Sequence, residues 1–160
     1  MHPETDVRWL TEECNKAESF AELALIAIAE LRKFQNGTEI VCGPITTGGR
    51  GNAEENLKVF AKAIRALQQR GRHVFNQMPY EERIFLLTRR WQEENPAIAS
   101  EYHGPVLEQF YAPLFRTRLI RRGWFLPGWE LSKGARWERQ LFVQVGIEIC
   151  DLNNCWISAL

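Results

Sequence analysis

Between residues 120 and 150 the chain reads as strand, Pro-Gly turn, capped helix and strand again, and that succession leaves few folds open. An apolar run at 120–126 stops at Pro127-Gly128, and Ser132 stands where a helix cap belongs. A helical pattern follows over 132–145, and a second apolar run lies at 147–150. Two strands joined through a helix cannot close as a hairpin. They pair in parallel through a crossover.

The same alternation recurs upstream. A short strand at 38–42 leads through the glycine-rich segment 43–52 into a helix over 53–70, where Leu57, Phe60, Ala61, Ile64 and Leu67 share one face. Residues 72–76 read as a strand, 80–93 as a helix stopped at Asn95-Pro96, and 105–116 as another helix. Ahead of these, 5–34 form an amphipathic helix or helix pair ending near Asn36-Gly37. The order implies an α/β sandwich built on parallel pairing. The 160 residues suit one domain. We divide it into an N-terminal helical extension, 1–37, and an α/β domain, 38–160.

Charge narrows the partners. Lys and Arg total 20 and Asp and Glu total 20, so no global field draws the chain to nucleic acid or a membrane. Locally, 116–139 carries seven basic and two acidic residues, which favours an anionic ligand. The apolar run 21–31 is too short for a membrane span, and the acidic N-terminus does not resemble a signal peptide, so a cytoplasmic, reducing location is expected. Cys14, Cys42, Cys150 and Cys155 lack metal-site spacing. Cys42 and Cys150 read as reduced thiols inside apolar strands. His2, His73 and His103 are scattered, so neither a metal nor a cofactor is expected.

Two segments carry candidate chemistry. The loop after the first strand holds Gly43, Pro44, Ile45, Thr46, Thr47, Gly48, Gly49, Arg50 and Gly51. Its glycines admit close backbone approach, and Arg50 can fork onto a phosphate or carboxylate. It matches neither GxxxxGK[ST] nor GxGxxG. The competing reading is a surface turn with a solvated arginine. In the second segment, Gly134, Glu138, Leu141 and Val145 stack along one side of the helix, so Glu138 points at the sheet. Ser132 caps that helix, and Gly134 leaves a gap through which an anion reaches its free N–H groups. A shielded carboxylate there suits nucleophilic attack on a sugar carbon. The alternative is a core glutamate paired with Arg50 or Arg136. Trp129 either walls the pocket by stacking on a base or fills core or interface space.

Leu126-Pro-Gly-Trp129, Ser132, Gly134-Ala135 and Glu138 form an LPGW…S.GA..E pattern that resembles the nucleoside 2-deoxyribosyltransferase superfamily, and in it small bacterial proteins carrying this pattern. Cys42 to Arg50 resembles the first loop of the superfamily's deoxynucleoside 5′-monophosphate glycosidases. The likeness spans roughly residues 38–150. It implies a single Rossmann-like three-layer sandwich with a mostly parallel sheet of four to five strands and an added N-terminal helix. It implies an N-glycosidase or 2-deoxyribosyltransferase-like enzyme with Glu138 as nucleophile. Ser132 and Gly134 would meet the 5′ end, and Gly43, Arg50 and Gly51 the sugar–phosphate, with Pro44, Ile45 and Gly49 in the same loop. It also implies a homodimer or larger homo-oligomer and a nucleoside or nucleotide as ligand.

One family feature is absent. Where an aspartate is expected before the nucleophile helix, the chain has Arg121-Arg122-Gly123, and no Asp occurs between Asp6 and Asp151. Glu81, Glu82, Glu101 or Glu108 are the substitutes from other segments; His73 and His103 are weaker ones, and Tyr102 and Tyr111 rank lower. The gap leaves a non-catalytic nucleotide or nucleotide-sugar sensor as one rival; the other is a structural or assembly protein whose exposed aromatics and apolar tail, 153–160, form an interface.

Overall fold

A computed structural model describes residues 6–45, 52–99 and 105–153. The chain opens with a pair of helices, α1 (Val7–Lys16) and α2 (Phe20–Leu31). Each starts at a side-chain cap: Asp6 accepts the Trp9 N–H and Ser19 the Glu22 N–H, both at 3.1 Å. There follow β1 (Thr38–Cys42), α3 (Ala53–Gln69) and α4 (Met78–Glu94). The helix expected at 105–116 is a π-helical segment, Val106–Tyr111, running into α5 (Ala112–Arg116). The last unit is β2 (Ile120–Phe125), α6 (Lys133–Val145) and β3 (Glu148–Asp151), the β-α-β succession read from the sequence.

The sheet is parallel, in the order β1-β2-β3. Among the described residues it has three strands rather than four to five. Residues 72–76 contribute one parallel bridge, Glu39 to Val74. Two bonds hold it: the Glu39 N–H donates to His73 O and the Phe75 N–H to Glu39 O, each at 2.8 Å. The run stops there for a local reason. α3 ends only at Gln69, and the Asn76 side chain already takes the Met78 N–H at 3.1 Å to open α4. Too few residues remain free to extend the ladder.

The two crossovers leave the middle of the sheet in opposite directions. α3 carries the chain from β1 outward to Val74, and α6 carries it from β2 outward to β3. Their apolar clusters lie apart. Phe60, Ile64 and Leu67 of α3 pack on Val41, Val74 and Leu126. A larger cluster joins Ile40, Cys42 and Phe125 of the sheet to Phe110, Phe115, Leu141 and Phe142. Leu10, Cys14, Leu23 and Leu31 of the first two helices belong to this second cluster, so α1 and α2 build one layer of the same core. The direction of the crossovers reverses between β1 and β2, and it is at the strands' carboxyl ends beside such a reversal that open α/β sheets take ligands.

Gly123 shows how tightly α6 sits on the sheet. A Cβ at this position would overlap the Phe142 ring and approach the Phe125 ring at 3.3 Å. Phe142 has no room to yield, since Phe115 and Phe125 meet it edge-on at 4.7 and 5.7 Å between centroids. Gly123→Ala is therefore expected to cost about 3 kcal/mol and to lower the melting temperature by roughly 6–12 °C in calorimetry. An unchanged melting temperature would show that α6 can lift without cost.

Candidate functional site

The site forms where the helix start of α6 meets the end of β1. Pro127-Gly128 turns the chain after β2, with Gly128 at φ 85°, a conformation that favours glycine. Ser132, 1% exposed, accepts the Ala135 N–H at 3.2 Å and so begins the helix. Arg136 Nη1 donates to Glu130 O at 3.0 Å and ties the first turn back to the preceding one. Gly134, Ala135, Leu141 and Phe142 are buried against the sheet, and this stripe carries Glu138 inward with them. The Cys42 thiol, at the end of β1, lies within hydrogen-bonding reach of the Glu138 carboxylate, and each alters the other's hold on its proton.

A second carboxylate comes from α4. Tyr80, fully buried between Phe75 (5.4 Å) and Phe110 (5.7 Å), fixes the first turn of that helix. Glu81, next in the chain, lies within electrostatic reach of Glu138. The wider turn of the π-helix brings consecutive residues Phe110, Tyr111 and Ala112 all inward. From there the Tyr111 hydroxyl makes a long contact, 3.5 Å, to Glu81 Oε1.

Both carboxylates keep some accessible surface, yet protein crowds them on most sides. The crowding sets their affinity for protons. Burial, with Glu81 adding to it against the Cys42 thiol, pushes the Glu138 carboxyl up to about 8. Burial, eased by Tyr111, pushes Glu81 up to about 7. Burial and Glu138 together raise the Cys42 thiol well above its ordinary value. Among the described residues no arginine or lysine pairs with Glu138: Arg136 is spent on Glu130, and Arg139 on Asp151 at 2.7 Å. The charge of Glu81 makes it harder for Glu138 to ionise.

Arg139 is the residue that sequence reasoning missed. It links the ends of two strands to α6: its guanidinium bonds Asp151 at the end of β3 and lies over Trp129 at 4.1 Å and Phe125 at 4.9 Å. One face of Trp129 is thereby covered, and its edge meets Phe125 at 5.8 Å. Gly43 lies against Leu126, whose N–H donates to Cys42 O at 2.8 Å. Pro44 is buried and Ile45 half-buried, with Ile45 O accepting from the buried Asn56 side chain at 2.8 Å. Gly49, Arg50 and Gly51 lie outside the described residues, as do Glu101, Tyr102 and His103. The start of α3 offers an anion little: Asn52 caps it, and Glu54 and Glu55 stand in its first turn. The first turn of α6 holds no acid.

The remaining sequence candidates fall elsewhere. Glu82 and Glu108 face solvent, and His73 packs on Phe34 at 5.8 Å. Arg122 is engaged on the α3 side of the sheet, 3.2 Å from Glu39 and 2.7 Å from Glu148, while Trp124 Nε1 donates to Glu39 at 2.7 Å. Arg122 thus stands on the other face of the sheet from Glu138, and Arg121, exposed at the start of β2, lies against Gly37. Among the described residues no three metal-ligand side chains cluster, and no helix is long and apolar enough to cross a membrane. Cys14, Cys42 and Cys150 are free thiols.

Comparison with known proteins finds no match: no protein-family model, curated protein or solved structure is detectably similar to this chain.

Proposed function

We propose that the chain is an N-glycosidase or 2-deoxyribosyltransferase-like enzyme of a Rossmann-like fold, acting on a nucleoside or nucleoside 5′-monophosphate through Glu138. The observation that carries this reading is a carboxylate without a cationic partner, held at the carboxyl end of β1 beside the start of α6. A core glutamate kept for stability needs a counter-charge, because burying it alone costs several kcal/mol. Here that cost is left in place, as it is where an acid does chemistry. The LPGW…S.GA..E resemblance supplies the reaction class, and the acid-free first turn of α6, capped by Ser132 at the Ala135 N–H, suits a 5′-phosphate.

In this reading Glu138 attacks the anomeric carbon and the base departs. Water or a second base then takes the sugar from the enzyme. A chromatographic screen of the common nucleosides and their 5′-monophosphates for free base tests the proposal. Release of base with multiple turnovers is the expected result. Saturable binding in calorimetry without turnover of any compound would move the chain to a nucleotide sensor on the same site.

A further inference from the structure

A cavity of about 470 Å³ lies where the N-terminal helices meet the α/β domain, and no residue of β1 or α6 lines it. From α1 comes Leu10, from the end of α2 Glu30, and from just past that helix Phe34. The bridge segment supplies Phe75, and the start of α4 supplies Pro79 and Tyr80. The volume falls in the range of about 300–1,000 Å³ usual for small-molecule sites.

Several polar groups of the lining are engaged within the protein. Arg72 bonds Glu39 at 2.9 Å and lies over the Trp124 ring, and the Asn76 side-chain oxygen takes the Met78 N–H at 3.1 Å. His73 packs on the Phe34 ring. The buried polar residues of the lining are Glu30, 5% exposed, and Tyr80, 0% exposed, and these two decide what the cavity can hold. Phe75 and Phe110 fix the Tyr80 ring, yet among the described residues no protein group bonds its hydroxyl. Buried hydroxyls are nearly always bonded, so this one calls for a partner from outside the chain. Burial, with Cys14 and Glu30 adding to it, raises the Tyr80 proton affinity further, so the group is a neutral phenol. Glu30 pairs with Lys33, which is not part of the lining and is 42% exposed. A carboxylate has about four acceptor positions, so that pairing leaves Glu30 able to take donors from the cavity side.

Together the two groups select their ligand. A carboxylate only accepts, and a phenol oxygen accepts as well, so a group with several N–H donors and a positive charge serves both. A ligand carboxylate or phosphate would meet Glu30 with like charge. Leu10, Phe34, Phe75 and Pro79 make the rest of the wall apolar. We propose that this cavity binds a primary amine, as its ammonium, carried on an apolar body of aromatic size. The ammonium bonds the Glu30 carboxylate and the Tyr80 oxygen, and the body lies against the apolar wall. The N-terminal helices thereby complete a site that the α/β domain alone leaves open. The assignment is independent of the glycosidase reading, since Cys42, Ser132 and Glu138 take no part in the lining.

Calorimetric titration of the full chain with benzylamine, phenethylamine and tryptamine tests it. Phenethyl alcohol and phenylacetate serve as probes with a similar body and a different charge. At least one amine is expected to bind below about 1 mM, roughly tenfold or more tighter than the alcohol, with phenylacetate weakest. Tyr80→Phe removes only a hydroxyl that the protein leaves unbonded, and is expected to weaken amine binding about fivefold to tenfold. Glu30→Gln is expected to weaken it by about tenfold or more and to bring amine and alcohol level. Glu138→Gln binds the amine as wild type does. Failure of all three amines to bind at millimolar concentration overturns the proposal. Alcohol or phenylacetate bound as tightly as the amine marks a merely apolar cavity and overturns it too. So does amine binding that Tyr80→Phe and Glu30→Gln, each with a wild-type circular dichroism spectrum, leave unchanged.

Discussion

On the proposed glycosidase reading, Glu138→Gln is expected to yield a folded protein that has lost base release by at least about 10³-fold, the loss of a nucleophile in a covalent mechanism. The amide matches the carboxyl in shape and keeps an oxygen within reach of the Cys42 thiol, so neither β1 nor α6 has cause to shift. Binding of a nucleotide, measured by calorimetry, stays within about tenfold of wild type, because the lost group acts on the bond that breaks. Removing an unpaired buried acid also relieves a desolvation cost, so the melting temperature at pH 8 holds or rises. Turnover equal to wild type would remove Glu138 from the chemistry.

The second large effect is a loss of stability with rising pH. Both carboxyls are raised in the folded protein, Glu138 to about 8 and Glu81 to about 7, from an ordinary value of 4.5 in the unfolded chain. Between these values the folded protein binds more protons than the unfolded one, so the stability due to the pair is complete below 4.5 and falls as pH rises through 7 and 8. Partial access to water and coupling between the acids reduce the simple sum, and we expect a loss of roughly 3 kcal/mol in all. Urea denaturation at pH 5.5 and 8.5 measures it. Glu81→Gln/Glu138→Gln should flatten the difference to less than about 1 kcal/mol. A wild-type protein equally stable at both pH values would mean that the acids are more open to water than their surroundings indicate.

Much of the fold could be read from apolar periodicity. The crossover from β2 through α6 to β3 was legible because a Pro-Gly turn, a serine cap and an inward stripe agree on it. Residues 72–76 misled because Val74 and Phe75 have strand character, and propensity does not show that Asn76 will start α4 at once. The π-helical turn at Val106–Tyr111 has no sequence signature of its own; its three consecutive inward residues look like ordinary helix until the turn is seen.

The site was legible by halves. Glu138 sits on an apolar stripe, and that position announced it. Glu81 carries the same sign, since with Ile84 it flanks the buried Tyr80 and Leu87, but it was one of four carboxylates with nothing to rank them. Only packing between distant helices brings α4 across to α6. Cys42 read as a strand hydrophobe, which it is by burial, and its thiol contact depends on the same assembly. Arg139 was hidden because its partners, Asp151 and Trp129, lie on either side of it in sequence and meet it only at the sheet end.

Arg139 has a mechanical meaning that follows from its place beside Glu138. Successive residues on a helix differ by about 100° of rotation, so a restraint on one fixes the azimuth of the other. Clasped by Asp151 and lying on the Trp129 ring, Arg139 acts as a brake on rolling of α6 about its axis. The aim of Glu138 is thus governed from the rim of β3, and a change at Asp151 would steer the carboxylate without touching it.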